Sequence, residues 1–525
     1  MKWLLGTVWL GSACVAGMIG CSRAPAGASE PGEELSTREI HTLATSTVRV
    51  TKTTRFHTAA GITEQAEELS TDPPELLVPQ GETYSGREGA AVPGGWEFQD
   101  VPAGQYFLRF HDGRGARVQF LTDARHVELG PNRLGRPDAR YFVEDWAPAQ
   151  VDLQGLAPWV APEGLVHLGA HLQFNSPQVG AAGWLLFDEF LRADETSVVT
   201  DDVEALIVTA DGVPHLEAAR GDRLYVNQLS PFRVGTAPDG TPLEYAALDR
   251  SRELPPFDHV PNYGTPLSIS GTLQPVLMRQ FGLDWRLSEF ARMARDIHPG
   301  MTPRQSILEI HPAAHGLAPD GWVGYSGELL SLYAPLGATY DIQGPVKFGI
   351  PYPSSWGIVG AVTNIFHARL PIPDGSSDLA FITGSLTTLA SFDEFRAGPV
   401  RPKLSPPQSL TLDGAPANES RHLSTLSPVV AWAPPALGTP NVYQLLIRRY
   451  IKRSRSWETL GSIYVPGTTT AVRLPPGSLE PEGIYFMRIR AVDAPMFDVG
   501  RHSVETLEAL PNHSADAITS LFTTP

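Results

Sequence analysis

Apolar and polar residues alternate with a period of two along much of the chain, which is the pattern of half-buried β-strands. Tyr106, Leu108 and Phe110 interleave with Phe107, Arg109 and His111, and Pro102-Ala103-Gly104 supplies the turn before them. Gly164 to Phe174 alternates in the same way, placing Val166, Leu168, Ala170, Leu172 and Phe174 on one face. Further strands are predicted over Ala205 to Ala210, Arg223 to Leu229, Leu267 to Leu273 and Ser306 to His311, separated by Asp-Gly, Pro-Asp-Gly and Pro-Gly turns. One segment changes period. Between Leu283 and Ile297, the positions Leu287, Phe290, Ala291 and Ala294 fall at i, i+3, i+4 and i+7, and Pro299-Gly300 stops the run. The fold class expected from this pattern is mostly β, multidomain tandem β-sandwiches with one packing helix in the central region.

The amino terminus follows a different logic. Lys2 precedes an apolar run from Trp3 to Gly20, and Cys21 follows it. That run is long enough to span a bilayer, so length leaves an uncleaved anchor open. The context of Cys21 favours export. Met18-Ile19-Gly20-Cys21 resembles the lipobox of bacterial lipoproteins, with Met18 where that family usually carries Leu. The resemblance implies cleavage before Cys21 and lipidation of Cys21 on its thiol and new amino group, with palmitate among the acyl chains. At about 0.8 kcal/mol per buried methylene, several chains hold a protein on a membrane without a spanning helix. The alternative is secretory cleavage after Ala28, where Ala26-Gly27-Ala28 has the small-x-small form. Ser22 is not the Asp that resembles an inner-membrane retention signal, which favours the outer membrane. Residues 1–20 thus read as a signal peptide, and 21–45, rich in Ala, Pro, Gly, Ser and Glu, as a flexible tether.

Composition narrows the remaining 480 or so residues, roughly three or four domains' worth. The 49 Gly and 48 Pro exceed the usual background without reaching low-complexity levels, which suits turn-rich β structure. A net charge of −17 argues against a nucleic-acid groove, which needs a concentrated Lys/Arg footprint. Both cysteines lie within the first 21 residues, so the mature body has no disulfide, no Cys-based zinc site and no Cys nucleophile.

Three resemblances organise the body. Phe98-x-x-Val101-Pro102-Ala103-Gly104-x-Tyr106-x-Leu108 is similar to the carboxypeptidase regulatory-like or transthyretin-like β-sandwich family, which implies a non-catalytic module over 46–142. Val429-Val430-Ala431-Trp432, Val442 to Arg448 and Leu479-x-Pro481-x-x-x-Tyr485 resemble a fibronectin type III domain over 405–525. In that family Trp432 and Tyr485 would be core and corner residues, the Tyr hydroxyl bonding back to nearby backbone. Ala157 to Val160, Gly221 to Val226 and Phe348 to Trp356 resemble a recurrent family of uncharacterised multidomain exported bacterial proteins. The central stretch 143–402 reads as one or two β-rich domains.

Candidate chemistry is sparse. Glu309 and His311 share one face of a predicted strand, and His315, with Asp296 and His298 upstream, could complete a zinc triad. Pro312-Ala313-Ala314 makes the position of His315 unpredictable, and solvent-facing loop histidines are the default expectation. His167 and His171, four apart on a strand, lie about 13 Å apart and cannot share an ion. Gly324-Tyr325-Ser326-Gly327-Glu328 lacks the final glycine of a nucleophile elbow. Asp188-Glu189 and Asp393-Glu394 each supply at most one inward carboxylate from a strand, and are expected to be solvated acids. Arg220-Gly221-Asp222 spells an adhesive tripeptide, yet Gly-Asp is also what a turn into the following strand requires. Arg448, Arg449, Lys452, Arg453 and Arg455 form a basic hairpin, read as a charge-protected edge rather than an anionic docking site. Trp159, Trp184, Trp322 and Trp356 are candidates for sugar stacking. No catalytic residue, metal or cofactor is assigned. The expectation is a non-enzymatic, outer-membrane-anchored lipoprotein of the cell envelope with a binding, adhesion or envelope-organising role. It meets the membrane through its lipid anchor, with a protein or glycan as ligand and no nucleic acid. An envelope or secreted hydrolase acting on glycan or peptide through the central region, or a carbohydrate-binding protein, is the competing reading.

Overall fold

The structure is a computed structural model that describes residues 47–525 except 112–114, 163–168, 188–190, 209–211 and 499–508. The lipobox with Cys21, the tether, His167 and Asp188-Glu189 lie outside the described residues.

The first segment folds as two facing sheets, with a further three-stranded sheet of Asn132–Leu134, Thr53–Thr58 and Gly61–Ala66. One orders the strands His126–Glu128, Val48–Thr51, Gly95–Phe98 and Gly89–Val92, and the other Thr83–Arg87, Glu75–Gln80, Tyr106–His111 and Arg117–Thr122. Val48, Val50, Phe98, Tyr106, Leu108, Phe120 and Val127 fill the space between them. The buried Tyr106 ring keeps its hydroxyl satisfied by donating to the Ala124 carbonyl. The alternation read from the sequence places Tyr106 and Leu108 in this core. Phe107 and Arg109 on the opposite face are buried as well, because that face packs against the carboxy-terminal segment. There Arg109 donates to the Pro476 carbonyl at 2.6 Å and Gln119 to Ser478 Oγ at 3.3 Å.

In the central region a sheet closes on itself. Trp146–Gln154 pairs with Ser197–Ile207, and the chain of pairings continues through Ala181–Phe187, His171–Ser176, Leu224–Thr236 and Pro242–Leu254. Leu267–Thr272 lies parallel to Trp146–Gln154, and Gln274–Pro275 pairs with Pro242–Leu254, which completes the ring. Its interior holds Ala149, Val151, Leu153, Phe174, Leu185, Val203, Val226 and Ile269. Closure satisfies the backbone groups that an open edge would leave unpaired. The strand Pro242–Leu254 also pairs with Leu330–Tyr333, and from there the sheet runs through Thr302–Leu317, Gly357–Pro371 and Leu379–Ser391. The two-stranded antiparallel sheet of Met278–Trp285 with Ile342–Gly349 shares its core with this sheet. The helical stripe expected over 283–297 is present as two short helices, Leu287–Arg292 and Ala294–Ile297, with Leu287, Phe290, Ala294 and Ile297 turned into that core.

The carboxy-terminal segment is fibronectin type III-like. Gln408–Leu412, Val429–Ala433 and Ala471–Arg473 form one sheet. Ser456–Pro466, Val442–Ile451, Ile484–Asp493 and Asn512–Ile518 form the other. Trp432 meets Tyr443 edge to face at 5.1 Å, and the Tyr485 hydroxyl donates to the Glu480 carbonyl at 3.2 Å while accepting from Glu480 N at 3.0 Å. The corner bond expected from sequence is therefore formed.

Both outer strands of the four-stranded sheet continue into neighbouring segments. Ser456–Pro466 runs parallel to Arg117–Thr122 of the first sandwich, and Asn512–Ile518 runs antiparallel to Leu379–Ser391 of the central region. Gly461 permits the first junction, since a Cβ there would lie 2.3 Å from the Arg117 carbonyl oxygen. One hydrogen-bonded sheet thus crosses all three segments.

Candidate functional site: a polar seam inside the central region

Period-two alternation along Thr302–Leu317 sends Leu308 and Ile310 into the hydrophobic core and Glu309 and His311 to the opposite face. That face is also covered. Glu309 is 2% exposed, and its register partners are Ser331 on one side and Ala361 on the other. His311 Nε2 lies 3.6 Å from Glu309 Oε2, and His311 Nδ1 lies 3.1 Å from the Gly327 carbonyl oxygen. Burial alone would pull the imidazole pKa down; the bond to Glu309 and the charges of Glu309 and Glu328 outweigh it and hold it above the ordinary histidine value. The imidazole and the carboxylate therefore favour one another's charged forms. Among the described residues, His311 Nε2, Glu309 Oε1, Ser326 Oγ and Ser331 Oγ have no partner within hydrogen-bond distance, so His311 and Glu309 meet as an ion-pair contact.

The couple sits at one end of a line of buried polar side chains. Gly327, at φ +90°, lets its loop approach Gln173 so closely that a Cβ would lie 2.9 Å from Gln173 Oε1. Gln173 then accepts from Glu328 N at 2.9 Å and donates to the Glu328 carbonyl. Asn175 and Asn227 both donate to the Tyr352 hydroxyl, at 2.6 and 2.9 Å, and Ser251 Oγ donates to Asn227 Oδ1 at 2.6 Å. Burial pushes the Tyr352 hydroxyl far above the ordinary phenol range despite those two donors. Its ring stacks on Trp356 at 4.3 Å and meets Tyr225 edge-on at 5.1 Å. The seam reaches the surface at a depression of about 290 Å³ where Tyr225 and Ser251 are joined by Glu253, Pro275, Leu277 and Pro351.

The structure brings together only part of what the sequence put forward. Glu309 and His311 form a couple, but they are not solvent-facing loop residues. The strand continues through Pro312, which joins His311 and His315 in one element. His315 stands near Trp356, 6.4 Å between ring centres, at φ +62°. Asp296 is exposed, and His298 is buried with its ring 3.0 Å from Ser520 Oγ. No group of three or more His, Cys, Asp or Glu that could hold a metal occurs among the described residues. Ser326 Oγ makes no bond to His311, so the two are not a nucleophile and its base. Asp393 is exposed and bonded to Arg396 at 2.9 Å in a single helical turn with Glu394.

The remaining motifs are structural. Asp222 is fully buried, accepting from Arg136 Nη2 at 3.0 Å and Glu217 N at 2.8 Å, while Gly221 takes φ +77° in the turn. The tripeptide's carboxylate therefore faces inward. In the basic hairpin, Arg449 pairs with Glu458 at 2.6 Å and with Glu480, Lys452 with Asp374 at 3.0 Å and Arg455 with Asp378 at 3.4 Å. Trp457 Nε1 donates to the Phe381 carbonyl at 2.8 Å, so these cations clip the hairpin tip onto the central region. Trp159 and Trp322 are buried; Trp184 and Trp356 are half-buried against His171 and Tyr352. Sequence reasoning missed the seam. Its signal was the carboxamides Gln173, Asn175 and Asn227 among the apolar residues of their strands, because buried amides require partners.

No family model matches the chain, and no curated protein matches it. Among solved structures the chain is similar to the FN1–FN3 domains of chicken CNTN1. The identity is 12% and the TM-score 0.14, with 71% of this chain and 98% of that chain covered. A likeness that slight carries no argument, and the fibronectin type III-like description rests on strand order and the Tyr485 corner. No helix among the described residues is long and apolar enough to cross a membrane.

Proposed function

We propose that the protein is a non-enzymatic lipoprotein of the bacterial envelope, anchored to the outer membrane through acylated Cys21 and acting in binding, adhesion or envelope organisation. In this reading 1–20 are removed as a signal peptide, 21–45 tether the body, 46–142 form a carboxypeptidase regulatory-like sandwich, and 405–525 form the fibronectin type III-like domain. The ligand is a protein or a glycan.

The observation that supports a binding role over catalysis is the enclosure of Glu309 and His311. A hydrolase needs its acid and base within reach of substrate, whereas Glu309 and His311 are both buried within the sheet and the other imidazole nitrogen of His311 is engaged with the Gly327 carbonyl. Support for the anchor comes from Met18-Ile19-Gly20-Cys21 alone. The test is intact mass of the amino-terminal peptide from membrane and soluble fractions, with protease shaving of whole cells and Cys21→Ser as control. An acylated Cys21 peptide from protein cut by external protease is expected. An unmodified peptide starting at Ser29 in the soluble fraction would overturn the anchor and favour a secreted protein.

A further inference from the structure

At one end of the closed central sheet the exposed ring of Tyr263 meets two half-buried aromatic side chains, Phe142 and Trp146. Phe142 belongs to the short strand Tyr141–Phe142, Trp146 opens the strand Trp146–Gln154, and Tyr263 sits on the connection between Pro242–Leu254 and Leu267–Thr272. The Tyr263 ring lies 5.1 Å from Phe142 at 81° and 5.9 Å from Trp146 at 54°. Tyr263 is 61% exposed, and Val143 and Val260 in the same two segments are 69% and 58% exposed. Turn tips are ordinarily polar, and a cluster of exposed apolar side chains marks an interaction surface more often than chance.

The aromatic tip is held in place before any ligand arrives. Asn262 Oδ1 accepts from Gly264 N at 2.8 Å, Asn262 Nδ2 donates to Thr265 Oγ1 at 3.0 Å, and the Tyr263 hydroxyl donates to Glu144 Oε1 at 2.6 Å. Glu144 is in turn fixed by its backbone, which accepts from Val213 N at 3.1 Å. These bonds fix the turn and the ring it carries, so little entropy remains to be lost on binding.

We infer that Trp146, Tyr263 and Phe142, with Glu144 and Asp145 beside them, form a binding platform for a neutral oligosaccharide. The inference rests on the binding role proposed above and names its site. A sugar ring presents polarised C–H bonds to the negative face of an aromatic ring, while its hydroxyls donate to carboxylates. Glu144, bonded to the Tyr263 hydroxyl, puts such an acceptor next to the rings, and the exposed Asp145 adjoins it in the chain. Rings in contact at 5.1 Å leave no space between them for a compact cation, which sets the platform apart from an aromatic cage. The adjacent carboxylates and the net charge of −17 disfavour phosphorylated or uronic glycans. The four tryptophans singled out from sequence do not include Trp146, which is distinguished by its contact with the exposed Tyr263 ring.

The test uses soluble Cys21→Ser protein titrated with maltohexaose, cellohexaose and chitohexaose, and with choline, by calorimetry and tryptophan fluorescence. Saturable binding of at least one hexaose is expected, weakened tenfold or more by Tyr263→Ala and by Trp146→Ala. Tyr263→Ala replaces an exposed turn residue, and an unchanged unfolding midpoint shows that the fold survives. Binding of no hexaose, or equal binding by Tyr263→Ala, overturns the platform, as does choline binding at the same rings. Hexaose binding that survives Tyr263→Ala refutes the platform and leaves the binding role intact. The Cys21 peptide mass reports on the anchor independently.

Discussion

Asp516 is the charged residue on which the junction between the carboxy-terminal and central segments depends. It is 0% exposed and lies on Asn512–Ile518, the strand that pairs with Leu379–Ser391. Its carboxylate accepts from Arg490 Nε at 2.7 Å, from Arg490 Nη2 at 3.3 Å, and from Ser385 N and Oγ at 2.8 and 3.0 Å; Arg488 Nε stands 3.4 Å away. Burial alone would raise the Asp516 pKa, but Arg490 and Arg488 outweigh it and hold the carboxyl below its ordinary value. Such a group adds stability above the unfolded-state pKa and loses it as pH falls through the folded one. Asp516→Ala removes the carboxylate bonded to the buried Arg490 guanidinium, at a cost of about 3–5 kcal/mol. With a urea slope of roughly 2 kcal/mol per molar, the midpoint should fall by about 2 M. Hydrogen exchange should rise first in peptides covering 380–389 and 484–498. The double change Arg490→Met with Asp516→Leu should recover most of the loss, since an apolar pair of similar volume carries no desolvation penalty. A midpoint shift of Asp516→Ala below about 0.5 M would refute the reasoning.

Three further outcomes follow from buried groups. His171, His259 and His513 are held down to about 4 by burial, so the unfolded chain binds protons that the folded chain refuses, and stability is lost as pH falls from 6.5 towards 4; each should contribute on the order of 2 kcal/mol of destabilisation at pH 5, read as a falling urea midpoint that His259→Gln and His513→Gln reduce. His311 has the opposite sign, adding stability that is complete below 6.5 and lost as pH rises through its raised folded pKa; Glu309→Gln should drop that pKa, measured by NMR titration of the imidazole, and an unmoved value would show that the couple is not an ion pair. Tyr485→Phe removes the bonds to both Glu480 backbone groups and should cost about 1–2 kcal/mol in denaturant unfolding, with no change in hydrogen exchange in the first sandwich.

What could be read from the chain depended on the range of the interaction. Local periodicity located the strand at Tyr106 and the helical stripe at Leu287 to Ala294, and the resemblance to fibronectin type III domains located the corner at Tyr485; each is set by residues a few positions apart. Ser306 to His311 was expected as a short strand ending before Pro312, yet the strand runs Thr302–Leu317, because Gly357–Pro371 and Val323–Tyr325 pair with it from Pro312 onward. The burial of Phe107, Asp222 and Glu309 was not legible, since each is covered by chain far away in sequence. The same limit hid the seam: Asn175 and Asn227 meet at Tyr352, 177 and 125 positions distant. The aromatic platform joins Phe142 and Trp146 to Tyr263 across the closed sheet, a proximity that no pattern of residue types announces.

The continuity of the sheet changes what the carboxy-terminal segment can do alone. A free fibronectin type III-like domain protects its outer strands by charge or by shortness. Here those strands, Ser456–Pro466 and Asn512–Ile518, are long, and their backbone groups are taken up by Arg117–Thr122 and Leu379–Ser391. Side chains follow the backbone: Val442, Tyr464, Val492, Ala494 and Phe497 share the core of the first sandwich, not only that of their own segment. Excising 405–525 would expose both edges and these apolar residues together, so the fragment should self-associate or fail to fold, although the same fold elsewhere is commonly autonomous. Sedimentation of the fragment checks this, with the intact 46–525 body as reference. A monomeric fragment with a cooperative transition would show that the junctions are incidental contacts between independent modules. A self-associating fragment would mean that the three segments fold and function as one body.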